Sequence, residues 1–156
     1  MNTQAAPTAN QNFSVFDYGF RPFFLMAGLY AVLPLIPWAL HWGGGLDVAI
    51  PLQGWHSHEM LYGFAFATIG GFMLTAIPSW TNRQRVFGRR LKLIFCVWLL
   101  SRILFWLALF IDQDWLRLAL FLDLAFPLIL AGYAASAILA SGNKRNLILV
   151  LALLLF

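Results

Sequence analysis

Three titratable side chains, His56, His58 and Glu59, lie within four consecutive positions of an otherwise apolar stretch. Imidazole is the commonest metal ligand and binds in its neutral form, so this cluster suggests haem iron, copper or another transition metal. Side chains two positions apart on a helix point to nearly opposite sides. The two histidines are therefore expected to serve different partners, unless His56 precedes the helix. Tyr62 is spaced to hydrogen-bond His58 or Glu59 and orient it.

The same three residues also fit an interpretation without a metal. At the edge of a hydrocarbon layer, a polar cap can hydrogen-bond headgroups, water and the start of a helix. Spacing alone does not decide between the cap and the metal site.

Two charged residues, Arg102 and Asp123, lie inside apolar runs. Each is roughly nine or ten residues from the acidic turn between the runs, or about 14 Å at 1.5 Å per residue. Equal depth predicts an ion pair across a helical hairpin, which lowers the cost of burying either charge. The alternative is that Arg102 holds an anionic group such as a haem propionate.

The first apolar run carries one polar residue near each end. His41, beside Trp42, is a weaker candidate ligand, because an interfacial histidine often only contacts headgroups. Arg21, before Pro22, is interpreted as a basic anchor at the opposite end.

The composition is that of an integral membrane protein. Of 156 residues, 62% are hydrophobic and 10% are charged, against about 25% charged in soluble domains. A spanning helix needs roughly 20 mainly apolar residues. The sequence therefore predicts an all-α, polytopic transmembrane helix bundle, with a polar tail over 1–20 and a membrane domain over 21–156. Four full helices are expected at about 22–42, 58–78, 91–111 and 115–140, and a fifth from Asn146 is expected to be truncated.

The connectors predict the orientation, because basic residues near helix ends stay on the cytoplasmic side. The connector after the second run carries five of them, and the one after the fourth carries two: Arg83, Arg85, Arg89, Arg90, Lys92, Lys144 and Arg145. Residues 43–57 contain Asp47 and no lysine or arginine. A cytoplasmic amino terminus follows, with the three histidines on the outer, periplasmic face.

Other sequence features indicate helix packing rather than chemistry. Small residues recur every four positions on the second and fourth helices, which allows close helix contact within the chain or between copies: Gly63, Ala67 and Gly71, then Gly132, Ser136 and Ala140. Pro34 and Pro37 are expected to bend the first helix. Neither a phosphate-binding glycine loop nor a Ser/His/Asp set supports nucleotide binding or hydrolysis, and the grouped basic residues indicate topology rather than nucleic-acid binding.

Three ordered strings together resemble the NnrS family over essentially the whole chain. They are Gly19-Phe20-Arg21-Pro22-Phe23-Phe24, Trp55-His56-x-His58-Glu59-Met60 and Gly71-Phe72-x-Leu74-Thr75-Ala76-x-Pro78-x-Trp80-Thr81. The resemblance implies a bacterial inner-membrane protein that contains haem and copper and is associated with resistance to nitric oxide and nitrosative stress. It also implies that the HxHE motif falls on His56, His58 and Glu59, and that Arg21 is the first arginine of the family pattern. Full-length members are longer, so ligands from later helices are expected to be missing here.

Three functional hypotheses follow. The first is a haem- and copper-binding protein of nitric-oxide defence in the lipid bilayer, with His56 and His58 as metal ligands, Glu59 and Tyr62 orienting them, and Arg102 as anion partner. The second is a transporter or metal-handling protein with a transient His/Glu ion site, since buried ionisable residues also mark ion paths. The third is a membrane scaffold or assembly partner that binds no ligand.

Overall fold

The computed structural model describes residues 14–142 and 144–155, without the side chain of Lys144. Over this part of the chain the fold is helical and contains no strands, which confirms the all-α prediction. The helices are α1 (Phe20–Tyr30), α2 (Leu35–Trp42), α3 (Leu52–His58), α4 (Phe66–Thr81), α5 (Gly88–Phe110), α6 (Trp115–Ser141) and α7 (Leu147–Leu154). A π-helical segment, Glu59–Ala65, joins α3 to α4. Most of the predicted 1–20 tail lies outside the described residues.

Four helical spans are long and apolar enough to cross a membrane: Phe20–Trp42, Leu52–Thr81, Gly88–Phe110 and Trp115–Ser141. They correspond to the four full helices predicted from hydropathy. The fifth apolar segment forms α7, which begins at Leu147 and packs against α6.

The first span is broken in the middle. Residues 31–34 form a turn between α1 and α2, and Pro34 stands at the start of α2. A proline lacks the backbone N–H of a helical residue, and its ring displaces the carbonyl of the preceding turn. The interruption agrees with the predicted effect of the prolines on the helix expected over about 22–42, and Phe20–Trp42 as a whole is still long and apolar enough to span a membrane.

The second span begins at Leu52, six residues before the predicted start at His58. Pro51 precedes it, at a helix start where a missing N–H costs little. The HxHE motif therefore lies inside this span rather than opening it, and Glu59 is seven residues, or about 10 Å, from Leu52 along the helix. Its depth is set by this earlier start.

The small-residue face of the second span receives side chains of α1. An added Cβ at Gly63 would lie 2.5 Å from Cδ1 of Tyr30, and one at Gly71 would lie 2.8 Å from the ring of Phe24. This confirms the predicted close helix contact. On α6, a Cβ at Gly132 would meet nothing within 4 Å. Gly132, Ser136 and Ala140 are all exposed, so this face of α6 makes no close contact within the described part of the chain, and the predicted contact between copies stays a prediction.

Candidate functional site

Five polar side chains meet in the interior of the bundle, and we call them the buried ionic cluster: His58, Glu59, Ser101, Arg102 and Asp123. They come from the junction of α3 with the π segment, from α5 and from α6. Glu59 is 0% exposed, Arg102 1% and Asp123 5%. The surface polar cap considered for His58 and Glu59 is therefore the wrong interpretation of Glu59, which lies in the protein interior.

Arg102 is the centre of the cluster. Its Nη1 donates to Oε1 of Glu59 at 2.7 Å, and its Nη2 donates to Oδ1 of Asp123 and, at 3.1 Å, to Oγ of Ser101. The predicted pair between Arg102 and Asp123 is confirmed. Glu59 was not predicted as a partner, because the later helix start placed it near the surface rather than at the depth of the arginine.

The charges of the cluster do not balance. One guanidinium faces two carboxylates, Glu59 and Asp123, so a formal charge of −1 is left when His58 is neutral. In a low-dielectric interior an uncompensated charge is costly, and either a proton on His58 or a bound cation lowers that cost. The cluster is thus electrostatically suited to hold one more positive charge.

The imidazole of His58 is fixed in position by its neighbours. Its Nε2 lies 3.2 Å from Oδ2 of Asp123, and its Nδ1 lies 3.6 Å from Oε1 of Glu59. The ring stacks on Tyr62 and on Phe105, with centroids 4.5 Å and 4.0 Å away. Tyr62 was predicted to orient His58 by a hydrogen bond; in the structure its ring contacts that imidazole face to face.

Two donor atoms of the cluster suit a metal ion. The nearer carboxylate, on Asp123, favours the tautomer of His58 that has its proton on Nε2, which leaves a lone pair on Nδ1. Within the described residues, three acceptor atoms of the cluster are buried without a hydrogen-bond partner: Nδ1 of His58, Oε2 of Glu59 and Oδ2 of Asp123. Oδ2 of Asp123 is nevertheless in close contact with Nε2 of His58, and Tyr30 is a close neighbour of Glu59. Imidazole nitrogen with carboxylate oxygen suits a first-row transition metal. No set of three or more His, Cys, Asp or Glu ligands occurs in that same part of the chain.

His56 has a different environment from His58. Its Nδ1 lies 3.2 Å from the carbonyl oxygen of Pro34, and its half-buried ring contacts the edge of Trp38. A carbonyl can only accept, so Nδ1 carries the proton and Nε2 keeps the lone pair. A ligating histidine commonly has this arrangement. Nε2 of His56 therefore keeps a lone pair, whereas both ring nitrogens of His58 face buried carboxylates.

The other two sequence candidates lie apart from the cluster. His41 is exposed, and its Nδ1 is 3.0 Å from the carbonyl of Leu46. Arg21 donates to the carbonyl of Ser14 at 2.9 Å and lies 3.4 Å from Asp17, at the beginning of α1. The histidines thus occupy three separate settings, and Arg21 is at the other end of the first span.

Sequence reasoning missed the indole donors that surround the cluster. The Nε1 of Trp55 donates to the carbonyl of Phe105 at 3.1 Å, and that of Trp106 donates to the hydroxyl of Tyr30 at 3.1 Å. Both bonds join different spans next to the ionic groups. For Trp106 the signal was its position inside an apolar run, where an indole N–H needs a partner. Trp55 gave no such signal, because it falls in the predicted connector over 43–57. Ser101 had a similar signal beside Arg102.

Comparison with known proteins identifies the family. The family model described as NnrS protein matches residues 14–156, and the chain belongs to that family. Family membership suggests a membrane protein related to nitric oxide. Neither a curated protein nor a solved structure matches the chain.

Proposed function

We propose that this member of the NnrS family binds haem and copper within the membrane and acts in the defence against nitric oxide. One observation carries the proposal: a buried imidazole nitrogen and a buried carboxylate oxygen, neither with a hydrogen-bond partner among the described residues, adjoin a cluster whose formal charge is −1 while His58 is neutral. A transition-metal ion satisfies the two donors and the charge together.

Copper is assigned to His58 and Glu59. The carboxylate of Asp123 holds the far side of the imidazole, as carboxylates do behind many metal-bound histidines. Tyr62 and Phe105 restrict the rotation of the ring. These two ligands leave further coordination positions to water or to groups outside this cluster.

Haem is assigned to His56. The carbonyl of Pro34, exposed by the break between α1 and α2, orients the ring through Nδ1 and leaves Nε2 available to iron. Arg102 is not assigned to a haem propionate, because its two terminal nitrogens already bind Glu59 and Asp123. Arg21 is assigned to anchoring of the first span.

A metal held at this depth suits a gaseous ligand. Iron or copper supplies the redox-active centre that can bind a small diatomic molecule. The apolar side chains around His58 exclude bulk water while letting a nonpolar gas approach through the hydrocarbon layer. Phe105, which stacks on His58, is 3% exposed, and Trp55, which donates to the carbonyl of Phe105, is 2% exposed.

The optical spectrum and metal content of the purified full-length protein test both assignments. His56→Ala is expected to remove the Soret band of haem, and His58→Ala to remove copper while sparing haem. His41→Ala is the matched control, because His41 has a similar carbonyl contact but is exposed and apart from the cluster. A colourless, metal-free wild-type protein, prepared under conditions that retain cofactors, refutes the proposal.

A second candidate function is an ion or proton site in a transporter. The residual charge of −1 in the cluster favours it, since such a charge can also attract a transient cation. Cation uptake by vesicles that contain the protein, together with an absence of haem, would support this candidate. If the protein binds neither metal nor haem and transports no cation, the scaffold hypothesis is the remaining one.

The bacterial inner membrane, with a cytoplasmic amino terminus, is the proposed location. This orientation is supported by the basic residues at 83–92, since the connector over 43–57 contains no lysine or arginine and basic connectors stay in the cytoplasm. Single cysteines introduced into each connector and labelled from the periplasm test this orientation. Cysteines at 43–50 are expected to be labelled. If cysteines at 83–87 are labelled instead, the orientation is the opposite of the proposed one.

A further inference from the structure

A cavity of about 840 Å³ lies at the end of the bundle opposite to the histidines. It is bounded by the connector between α4 and α5, the first turns of α5 and the last third of α6. Its size is within the range of about 300 to 1,000 Å³ that is usual for small-molecule sites. Its lining includes four arginines, Arg83, Arg85, Arg89 and Arg90, together with Ile94, Tyr133 and Ala137. We call it the arginine cavity.

The charged side chains that line the cavity are all positive. The cavity is lined by four arginines, and no carboxylate lies within 4.0 Å of any of them in the described part of the chain. The guanidinium of Arg85 is held over the ring of Tyr18, 4.1 Å from its centroid. Planar guanidinium groups bind phosphate through paired hydrogen bonds. The cavity is therefore suited to a phosphate group.

A hydroxyl group in the wall of the cavity adds a second, independent indication. The hydroxyl oxygen of Tyr133 is buried and has no hydrogen-bond partner among the described residues. A buried hydroxyl without a partner costs roughly 1–3 kcal/mol, and a ligand oxygen would remove that cost. Ile94 and Ala137 provide an apolar wall beside it. Anion-binding groups and an apolar wall thus adjoin in one site at the end of the membrane spans.

We propose that the arginine cavity binds an anionic phospholipid, whose phosphate contacts the arginines and Tyr133 and whose acyl chain follows Ile94 and Ala137. Basic pockets between helices at a membrane surface have the chemistry to recognise such headgroups. This proposal concerns a different end of the molecule from the metal site, so it stands or fails independently of haem and copper.

Native mass spectrometry of the full chain tests the proposal, with dioleoyl phosphatidylglycerol as the probe and dioleoyl phosphatidylcholine as the neutral comparison. The dissociation constant is expected to be at least about tenfold lower for phosphatidylglycerol. The double variant Arg83→Gln with Arg90→Gln is expected to weaken phosphatidylglycerol binding about thirtyfold, because each basic residue contributes about 1 kcal/mol to the binding free energy. Arg117→Gln with Arg145→Gln removes the same charge outside the cavity and is expected to leave binding unchanged.

The variant Tyr133→Phe distinguishes specific binding in the cavity from general electrostatic attraction of the lipid to the basic surface. It removes only a hydroxyl that has no partner in the described structure, so the fold is expected to be kept, while phosphatidylglycerol binding weakens about tenfold. Equal binding of the two lipids overturns the proposal, as does an equal loss in the control variant or no effect of Tyr133→Phe. Inorganic phosphate that binds as tightly as the lipid would show a free-anion site instead and would also overturn it.

Discussion

Replacing Arg102 with methionine is expected to destabilise the protein strongly. The substitution keeps most of the side-chain volume but removes the guanidinium that binds Glu59 at 2.7 Å and also binds Asp123. Both carboxylates then stay in an interior where Glu59 is 0% exposed. Removing one partner of a buried ionic pair costs about 3–5 kcal/mol. That is a large share of the roughly 5–15 kcal/mol by which proteins are usually stable.

Reversible unfolding in mixed micelles, followed by far-ultraviolet circular dichroism, gives the free energy of unfolding for each variant. Arg117→Met is the matched control, because Arg117 is exposed, and it is expected to change the stability by less than about 0.5 kcal/mol. A triple variant, Arg102→Met with Glu59→Gln and Asp123→Asn, removes all three charges. It is expected to recover most of the loss, since replacing a whole buried ionic group is often close to neutral.

Two results would refute this reasoning. If Arg102→Met lowers the free energy of unfolding by less than about 1 kcal/mol, Arg102 contributes no more than an arginine in an exposed ion pair does. A triple variant as unstable as the single one would show that the lost packing of the arginine, rather than the carboxylates left unpaired, causes the effect.

Two further substitutions, one of them with a matched control, test the contacts around the cluster. Gly63→Ala is expected to lower the free energy of unfolding by about 1–3 kcal/mol, because its Cβ would lie 2.5 Å from Tyr30. Gly132→Ala is the control, since its Cβ would meet open space, and it is expected to be neutral or slightly stabilising. Equal stabilities of the two variants in the same unfolding assay would disprove the contact between Gly63 and Tyr30. Ser101→Ala is expected to cost about 1–3 kcal/mol, since Oγ of Ser101 donates to Oδ1 of Asp123 at 2.7 Å. A stability equal to that of the wild type would show that this bond contributes nothing.

The helical fold and the spans could be predicted because they depend on composition and length. Apolar runs of about 20 residues have few alternatives to a spanning helix. The pairing of Arg102 with Asp123 could also be predicted, because both are similarly distant from one turn and a buried charge requires a partner. These inferences use only the position of a residue along its own helix.

The place of Glu59 in the cluster could not be predicted in the same way. It depends on the helix start at Leu52, which lies inside the connector predicted over 43–57. Pro51 was the available signal, as proline is common at helix starts. The π segment that follows also turns its residues away from the directions expected for an α-helix, and such segments arise from tertiary packing rather than from local preference.

The separate settings of the histidines depended on backbone breaks. His56 reaches the carbonyl of Pro34 because the first span is interrupted between Tyr30 and Leu35. The sequence indicated a bend there but not which residue of another span would use the exposed carbonyl. The metal assignments at His56 and His58 therefore stay predictions that extend from family membership and from the donors in the structure.

Electron paramagnetic resonance of the copper(II)-loaded full-length protein tests the central claim most directly. If Nδ1 of His58 is the ligand, one set of strong nitrogen couplings and the bound copper are lost together in His58→Ala and are kept in His41→Ala. Glu59→Gln is expected to weaken copper binding while retaining the nitrogen couplings. Unchanged couplings and copper content in His58→Ala would contradict the claim that the buried ionic cluster holds this imidazole as a metal ligand.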